Sequence, residues 1–126
     1  MREPDFDVVI VAHNHARTLA ACLGAAGALT PGPRTVIVVD NASRVTPTVP
    51  ERLANGVCVT LMARHCNEGA AARTTGALEV GPDRRWLVML DDDSAPVERP
   101  GTPTLPRMLD EQPPDVGAVT AEIFLP

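Results

Sequence analysis

The residue types able to do chemistry fall in short polar clusters, each following an apolar run. Leu90-Asp91-Asp92-Asp93-Ser94 is the most pointed of them. Residues i and i+2 of an extended chain face the same way, so Asp91 and Asp93 are expected to project together and Asp92 to point away. Two carboxylates on one side, in a chain with no lysine to neutralise them, suit a hard divalent cation, Mg2+ or Mn2+. The competing reading is a solvated acidic turn that caps the next segment. The metal reading is favoured because the cluster ends a buried run, Trp86 to Leu90, and other polar clusters end similar runs.

Those other clusters are Ala12-His13-Asn14, Asp40-Asn41-Ala42-Ser43 and Asn67-Glu68-Gly69. Asp40 follows four apolar residues. Its carboxylate either lies at a rim, accepting hydrogen bonds from a nucleobase or ribose, or caps the next segment with Asn41 and Ser43. His13 and His15 flank Asn14 with no third residue at metal-ligand spacing, and read as rim contacts or plain surface residues. Arg73 stands six residues after Asn67, where a helix is expected to open. It either reaches a diphosphate or base, or is a solvated helix charge. Free N–H groups near Gly69, at that helix start, suit phosphate. His65 and Cys66 are adjacent, but nothing completes a zinc site. Neither GxGxxG nor GxxxxGK[ST] occurs, which weighs against dinucleotide and P-loop chemistry.

The elements that must position these clusters follow from hydrophobic periodicity. Asp7 to Ala12, Val36 to Asp40, Val57 to Met62, Trp86 to Leu90 and Val116 to Phe124 read as strands. Helices are expected from about Asn14 or Thr18 to Leu29, from Asn67 to Glu79, and over about Leu105 to Glu111, with one helical turn around Glu51 to Ala54. Pro31-Gly32-Pro33 and Gly81-Pro82 stop the first two helices, and the proline-dense stretch from Pro96 to Pro114 leaves room for only a short one. Alternating strands and helices imply an α/β fold with a mostly parallel sheet covered on both faces. Ligands of such a sheet bind outside the carboxyl ends of its strands, which is where the polar clusters fall.

A chain of 126 residues is one domain's worth. The net charge of −5 excludes a basic nucleic-acid-binding face. All eleven cations are arginine, so mechanisms that need a lysine, such as a Schiff base, are excluded. With abundant alanine and proline, this also suggests a GC-rich bacterial genome. Cys22, Cys58 and Cys66 form no CxxC pair and fit reduced thiols, Cys22 and Cys58 in the core. No apolar run approaches the roughly 18 residues of a membrane span, and the N-terminus lacks a signal-peptide apolar region. A cytoplasmic protein is expected.

Val8 to Leu23 (VVIVAHNHARTLAACL), Val36 to Ser43 (VIVVDNAS), Asn67 to Leu78 (NEGAAARTTGAL) and Trp86 to Pro96 (WLVMLDDDSAP), in that order and spacing, resemble the N-terminal half of a family 2 glycosyltransferase. The resemblance covers nearly the whole chain. It implies a GT-A fold, a Rossmann-like three-layer sandwich with a mostly parallel sheet, here truncated after about five strands. Residues 1–126 would be the nucleotide-sugar-binding domain, with the acceptor and catalytic-base half absent. By resemblance, Ala12, His13 and Asn14 lie along the nucleoside, Asp40 with Asn41 contacts base or ribose, and Arg73 is a basic position in the helix after the third strand. Asp91 and Asp93 match the DxD signature, Asp93 as ligand of the Mn2+ or Mg2+ that bridges the diphosphate and Asp91 acting through ribose or water.

The implied reaction moves a sugar from a nucleoside-diphosphate sugar, a UDP- or dTDP-sugar, to an acceptor hydroxyl with inversion. The implied place is the cytoplasm or the inner face of the membrane. The family commonly has asparagine where Thr74 stands and threonine where Ala12 stands, and the loop after Ser43 carries Pro47 and Pro50 in place of the usual Asp-Gly-Thr. No residue of the chain stands out as a catalytic base. Two alternatives stay open: a non-catalytic nucleotide-binding or interaction fragment, and a nucleotidyltransferase, disfavoured because no basic glycine-rich loop follows the first strand. Apolar surface near Val116 to Leu125 is expected to favour self-association.

Overall fold

In a computed structural model, which describes residues 5–121, strand and helix alternate as the periodicity requires. The elements are β1 (Phe6–Ala12), α1 (Ala16–Ala28), β2 (Thr35–Asp40), β3 (Cys58–Ala63), α2 (Ala71–Glu79), β4 (Trp86–Asp91) and α3 (Leu105–Asp110). The runs Val8-Val9-Ile10-Val11 and Val36-Ile37-Val38-Val39 make β1 and β2 buried over most of their length. Continuous β-branched runs fit strands covered on both faces. β3 and β4 are only partly covered, because they are the edges.

The sheet is wholly parallel, in the order β3-β2-β1-β4. Travel from β1 through β2 to β3 goes one way across it, and the step to β4 goes back past β1. Right-handed crossovers in opposite directions place their helices on opposite faces. On one face Leu19, Cys22, Leu23 and Ala26 of α1 pack on Val8, Ile10, Val36 and Val38, with Leu109 of α3 in the same cluster. On the other, Ala72 of α2 packs on Val9, Ile37 and Val39. The result is three layers, α/β/α.

Ala72 and Gly76, one turn apart, are the buried positions of α2. Their small size lets the helix lie close against the sheet. A Cβ on Gly76 would come within 2.5 Å of Val9 Cγ1 and 3.0 Å of Val39 Cγ2. The strand order reverses between β1 and β4, so the crevice outside their carboxyl ends is the topological switch point.

Four features differ from expectation. Four strands are present among the described residues, and residues 116–121 form no strand; the rest of the expected last strand, 122–124, lies outside the described residues. Around Glu51 to Ala54 there is no helical turn. Arg52 instead bridges antiparallel to Cys58, and the Asn55 side chain donates to the carbonyls of Ala26 and Leu29, each at 3.0 Å. That asparagine satisfies carbonyls left over at the end of α1, and so holds the segment as a loop. Helix α2 starts at Ala71, later than Asn67, because Asn67 Oδ1 accepts the Gly69 N–H at 2.8 Å and offers the backbone a turn. Cys22 is buried as expected, but Cys58 is exposed, since it opens an edge strand. No helix of the described residues is long and apolar enough to cross a membrane.

Candidate functional site

The polar strand ends meet at the carboxyl rim, and Asn41 joins three of them. Its N–H donates to the Ala12 carbonyl at 2.7 Å, and its own carbonyl accepts from His13 Nδ1 at 2.8 Å. Its side chain is used on both sides: Oδ1 accepts the Glu68 N–H at 2.6 Å and Nδ2 donates to the Gly69 carbonyl at 3.3 Å. One buried residue thus ties the ends of β1 and β2 to the loop that starts α2. Because a carbonyl can only accept, the proton of the neutral His13 ring lies on Nδ1. Nε2 then accepts from Asn14 Nδ2 at 3.1 Å.

Asn14 and Ala42 both have positive φ, 58° and 60°. Asparagine visits this region readily, whereas alanine does so at a cost of about 1 kcal/mol. The two turns interlock. The Asn14 N–H donates to Ser43 Oγ at 2.9 Å, and Asn14 Oδ1 accepts the Arg44 N–H at 2.8 Å. The Ser43 hydroxyl in turn donates to Asp40 Oδ1 at 2.5 Å. Asp40 is therefore buried and engaged with the loop that follows it, as in the capping alternative to a rim contact.

The three aspartates after β4 have three different environments. Asp91 is exposed and receives Arg73 Nη2 at 2.6 Å. Asp92 is 7% exposed; its Oδ2 accepts the His13 N–H at 2.9 Å and its Oδ1 lies 3.4 Å from His15 Nδ1. Asp93 is exposed. The strand stops at Asp91, and Ser94 closes a turn on the Asp91 carbonyl through its N–H (3.1 Å) and its hydroxyl (2.8 Å). Alternation therefore governs Asp91 but not Asp93. Asp91 follows Leu87, whose neighbours are those of α2, and it meets Arg73 there. Asp40 follows Val36 and Val38 on the α1 face. The Cys22 thiol of α1 is pushed up to about 11, first by burial and then by the charges of Asp92 and Asp93.

Hydrogen bonds thus bring together His13, Asn14, Asp40, Asn41 and Asp92, while Arg73 pairs with Asp91 on the α2 side. Ala12 contributes backbone and a buried methyl. Sequence reasoning missed Asp92, which was expected to point away, whereas the Ser43 contact with Asp40 matches the capping alternative. A readable signal existed for the left-handed turn at Asn14, an asparagine two residues after a strand, since asparagine is enriched there. None existed for Asp92, whose partners are β1-end residues almost eighty positions earlier.

Among the described residues no group of three or more histidine, cysteine, aspartate or glutamate side chains is placed to enclose a metal ion. A cavity of about 470 Å³ lies elsewhere, lined by Ala77, Leu78, Val80, Arg84 and Trp86 among others, at the amino end of β4. Close to it Asp7, buried in β1, meets Arg84 Nε at 2.7 Å. Burial raises the Asp7 carboxyl above the ordinary carboxylate range, and the nearby Arg84 guanidinium offsets part of that rise.

A parallel sheet in 3-2-1-4 order, flanked by helices on both faces and with polar residues gathered where the order reverses, defines a three-layer α/β domain of the GT-A type. The fold is shared with the crystal structure of S. aureus TarS 1-349, at a TM-score of 0.59 and 19% identity, over 71% of this chain and 28% of that one. This chain thus spans well under half the length of that structure. No curated protein matches it. The family model for glycosyl transferase family 2 matches residues 7–120, and the chain belongs to that family.

Proposed function

We propose that this domain is the donor-binding half of a metal-dependent, inverting glycosyltransferase that takes its sugar from a UDP- or dTDP-sugar. The observation that carries the reading is the state of the aspartate cluster at the switch point. Asp92 is buried in protein contacts, while Asp91 and Asp93 keep exposed carboxylates on the rim. Mg2+ and Mn2+ are commonly held by one or two carboxylates, with phosphate oxygens and water completing the shell. The donor set of Asp91 and Asp93 fits an ion shared with a diphosphate better than an ion enclosed by protein. When bound, such an ion supplies charge neutralisation for the diphosphate leaving group.

The residues of this chain divide the remaining work. His13 and Asn14, fixed in their turn by Asn41 and Ser43, line the nucleoside beside the Ala12 backbone. Asp40 meets base or ribose once the Ser43 hydroxyl turns away from it. Asn41 acts by holding the rim, since both ends of its amide are engaged. Arg73 exchanges its contact with Asp91 for the diphosphate. No general base or acceptor site is assigned among the described residues. In this reading the enzyme works in the cytoplasm or against the inner face of the membrane. Apolar surface such as Val119, 47% exposed, favours self-association of the isolated domain.

Titration calorimetry with UDP tests the proposal. Binding is expected with Mn2+ present and absent without it. Asp93→Ala is expected to abolish the difference. Equal UDP affinity with and without the metal would overturn the reading.

A further inference from the structure

We propose that Asp92, the middle residue of the aspartate cluster, is a positioning residue that clamps the two sides of the switch point together. The inference rests on the reading of the rim as a nucleotide site. The crevice between β1 and β4 is bounded by chain segments that are not hydrogen-bonded to each other through the sheet beyond Val11 and Asp91, the last paired residues of these strands. Past that point the Asp92 carboxylate links the β4 turn to the β1 turn. Oδ2 takes the His13 N–H at 2.9 Å and Oδ1 faces His15 Nδ1 at 3.4 Å.

A carboxylate 7% exposed is costly to leave without hydrogen-bond partners. The His13 amide donates to it, and its other oxygen faces His15, the residue directly before α1 begins at Ala16. The His13 ring is fixed in turn by the Asn41 carbonyl and the Asn14 amide. A displacement of Asp92 is therefore passed to the residues assigned to the nucleoside. The same turn carries Asp91 and Asp93, so one buried side chain sets the distance between the metal-facing and nucleoside-facing sides of the site.

Two variants separate positioning from metal ligation. Asp92→Asn keeps an oxygen that can accept the His13 N–H, whereas Asp92→Ala removes it. In the protein with UDP and Mn2+, Asp92→Ala is expected to weaken UDP binding about tenfold, the worth of one hydrogen bond to a charged group, and Asp92→Asn to restore most of it. The Mn2+ concentration that half-saturates UDP binding is expected to stay unchanged in both. Amide hydrogen exchange, read without any ligand, is expected to be faster at His13 in Asp92→Ala and close to wild type in Asp92→Asn. Wild-type UDP affinity in Asp92→Ala, a raised Mn2+ requirement in Asp92→Asn, or unchanged His13 exchange in Asp92→Ala would each overturn the clamp. Failure of the wild-type protein to bind UDP would instead sink the nucleotide reading, and the exchange measurement would still decide whether Asp92 holds the two turns together.

Discussion

Asn41 and Glu68 are joined by a 2.6 Å hydrogen bond from the Glu68 N–H to Asn41 Oδ1, which sets the loop before α2 against the end of β2. The other end of the same amide donates to the Gly69 carbonyl, so a single side chain replaces a ladder where the sheet has run out. Arg73 stands at the start of the helix that this loop feeds. Its distance to Asp91 therefore depends on Asn41.

Replacement of Asn41 by alanine leaves the Glu68 N–H and the Gly69 carbonyl without that partner. Glu68 is half-buried and Gly69 exposed, so each lost hydrogen bond costs roughly 0.5–1.5 kcal/mol, and Asn41→Ala is expected to lose about 1–3 kcal/mol in urea-induced unfolding. A loss below about 0.5 kcal/mol, the usual size of a surface substitution, would show that the staple carries no weight.

Gly76 tests how closely α2 must lie on the sheet. The Cβ of Gly76→Ala would meet Val9 Cγ1 at 2.5 Å, a contact that forces the helix outward. Overpacking of this kind costs about 1–3 kcal/mol, well above the gain of roughly 0.5–1 kcal/mol that alanine brings to a helix interior. A net loss of stability is expected by thermal or urea unfolding. A more stable variant would mean that α2 is free to shift.

The Asp7–Arg84 pair predicts a pH dependence with a definite sign. The Asp7 carboxyl is raised above 3.8, chiefly by burial, with Arg84 opposing. The folded state therefore holds this proton more tightly than the unfolded chain does. The associated stability is fully present below 3.8 and is lost as pH rises through the folded-state value. Subtracting the stability of Asp7→Asn from that of the wild type cancels the other carboxylates. The difference is expected to fall as pH rises from about 4 and then level off. A difference that grows with pH would show that the ion pair, not burial, dominates.

The central strands were legible because their composition leaves one choice. Val8 to Val11 and Val36 to Val39 are β-branched and lie at the middle of a covered sheet. The switch point was legible too, since polar clusters ended four apolar runs. The internal geometry of the rim was not. The i, i+2 rule for Asp91 and Asp93 assumes an extended chain, and Ser94 closes a turn there. Asp40 and Asp91 prove to lie on opposite faces of the sheet by alternation, with Asp40 held by Ser43 and Asp91 by Arg73. Asn55 holding residues near 52–54 as a loop, and Asn41 reaching Glu68, are contacts across 26–29 residues, which local periodicity does not encode.

Paramagnetic broadening by Mn2+ in the presence of UDP tests the central claim most directly, because it reports where in the fold the ion and its nucleotide lie. The rim reading predicts that amide signals of His13, Asn14, Asp93 and Ser94 are lost on addition of Mn2+ with UDP, while those around Arg84 and Trp86, at the far end of β4, stay sharp. Broadening centred on Arg84 and Trp86, or none at the carboxyl rim, would contradict it.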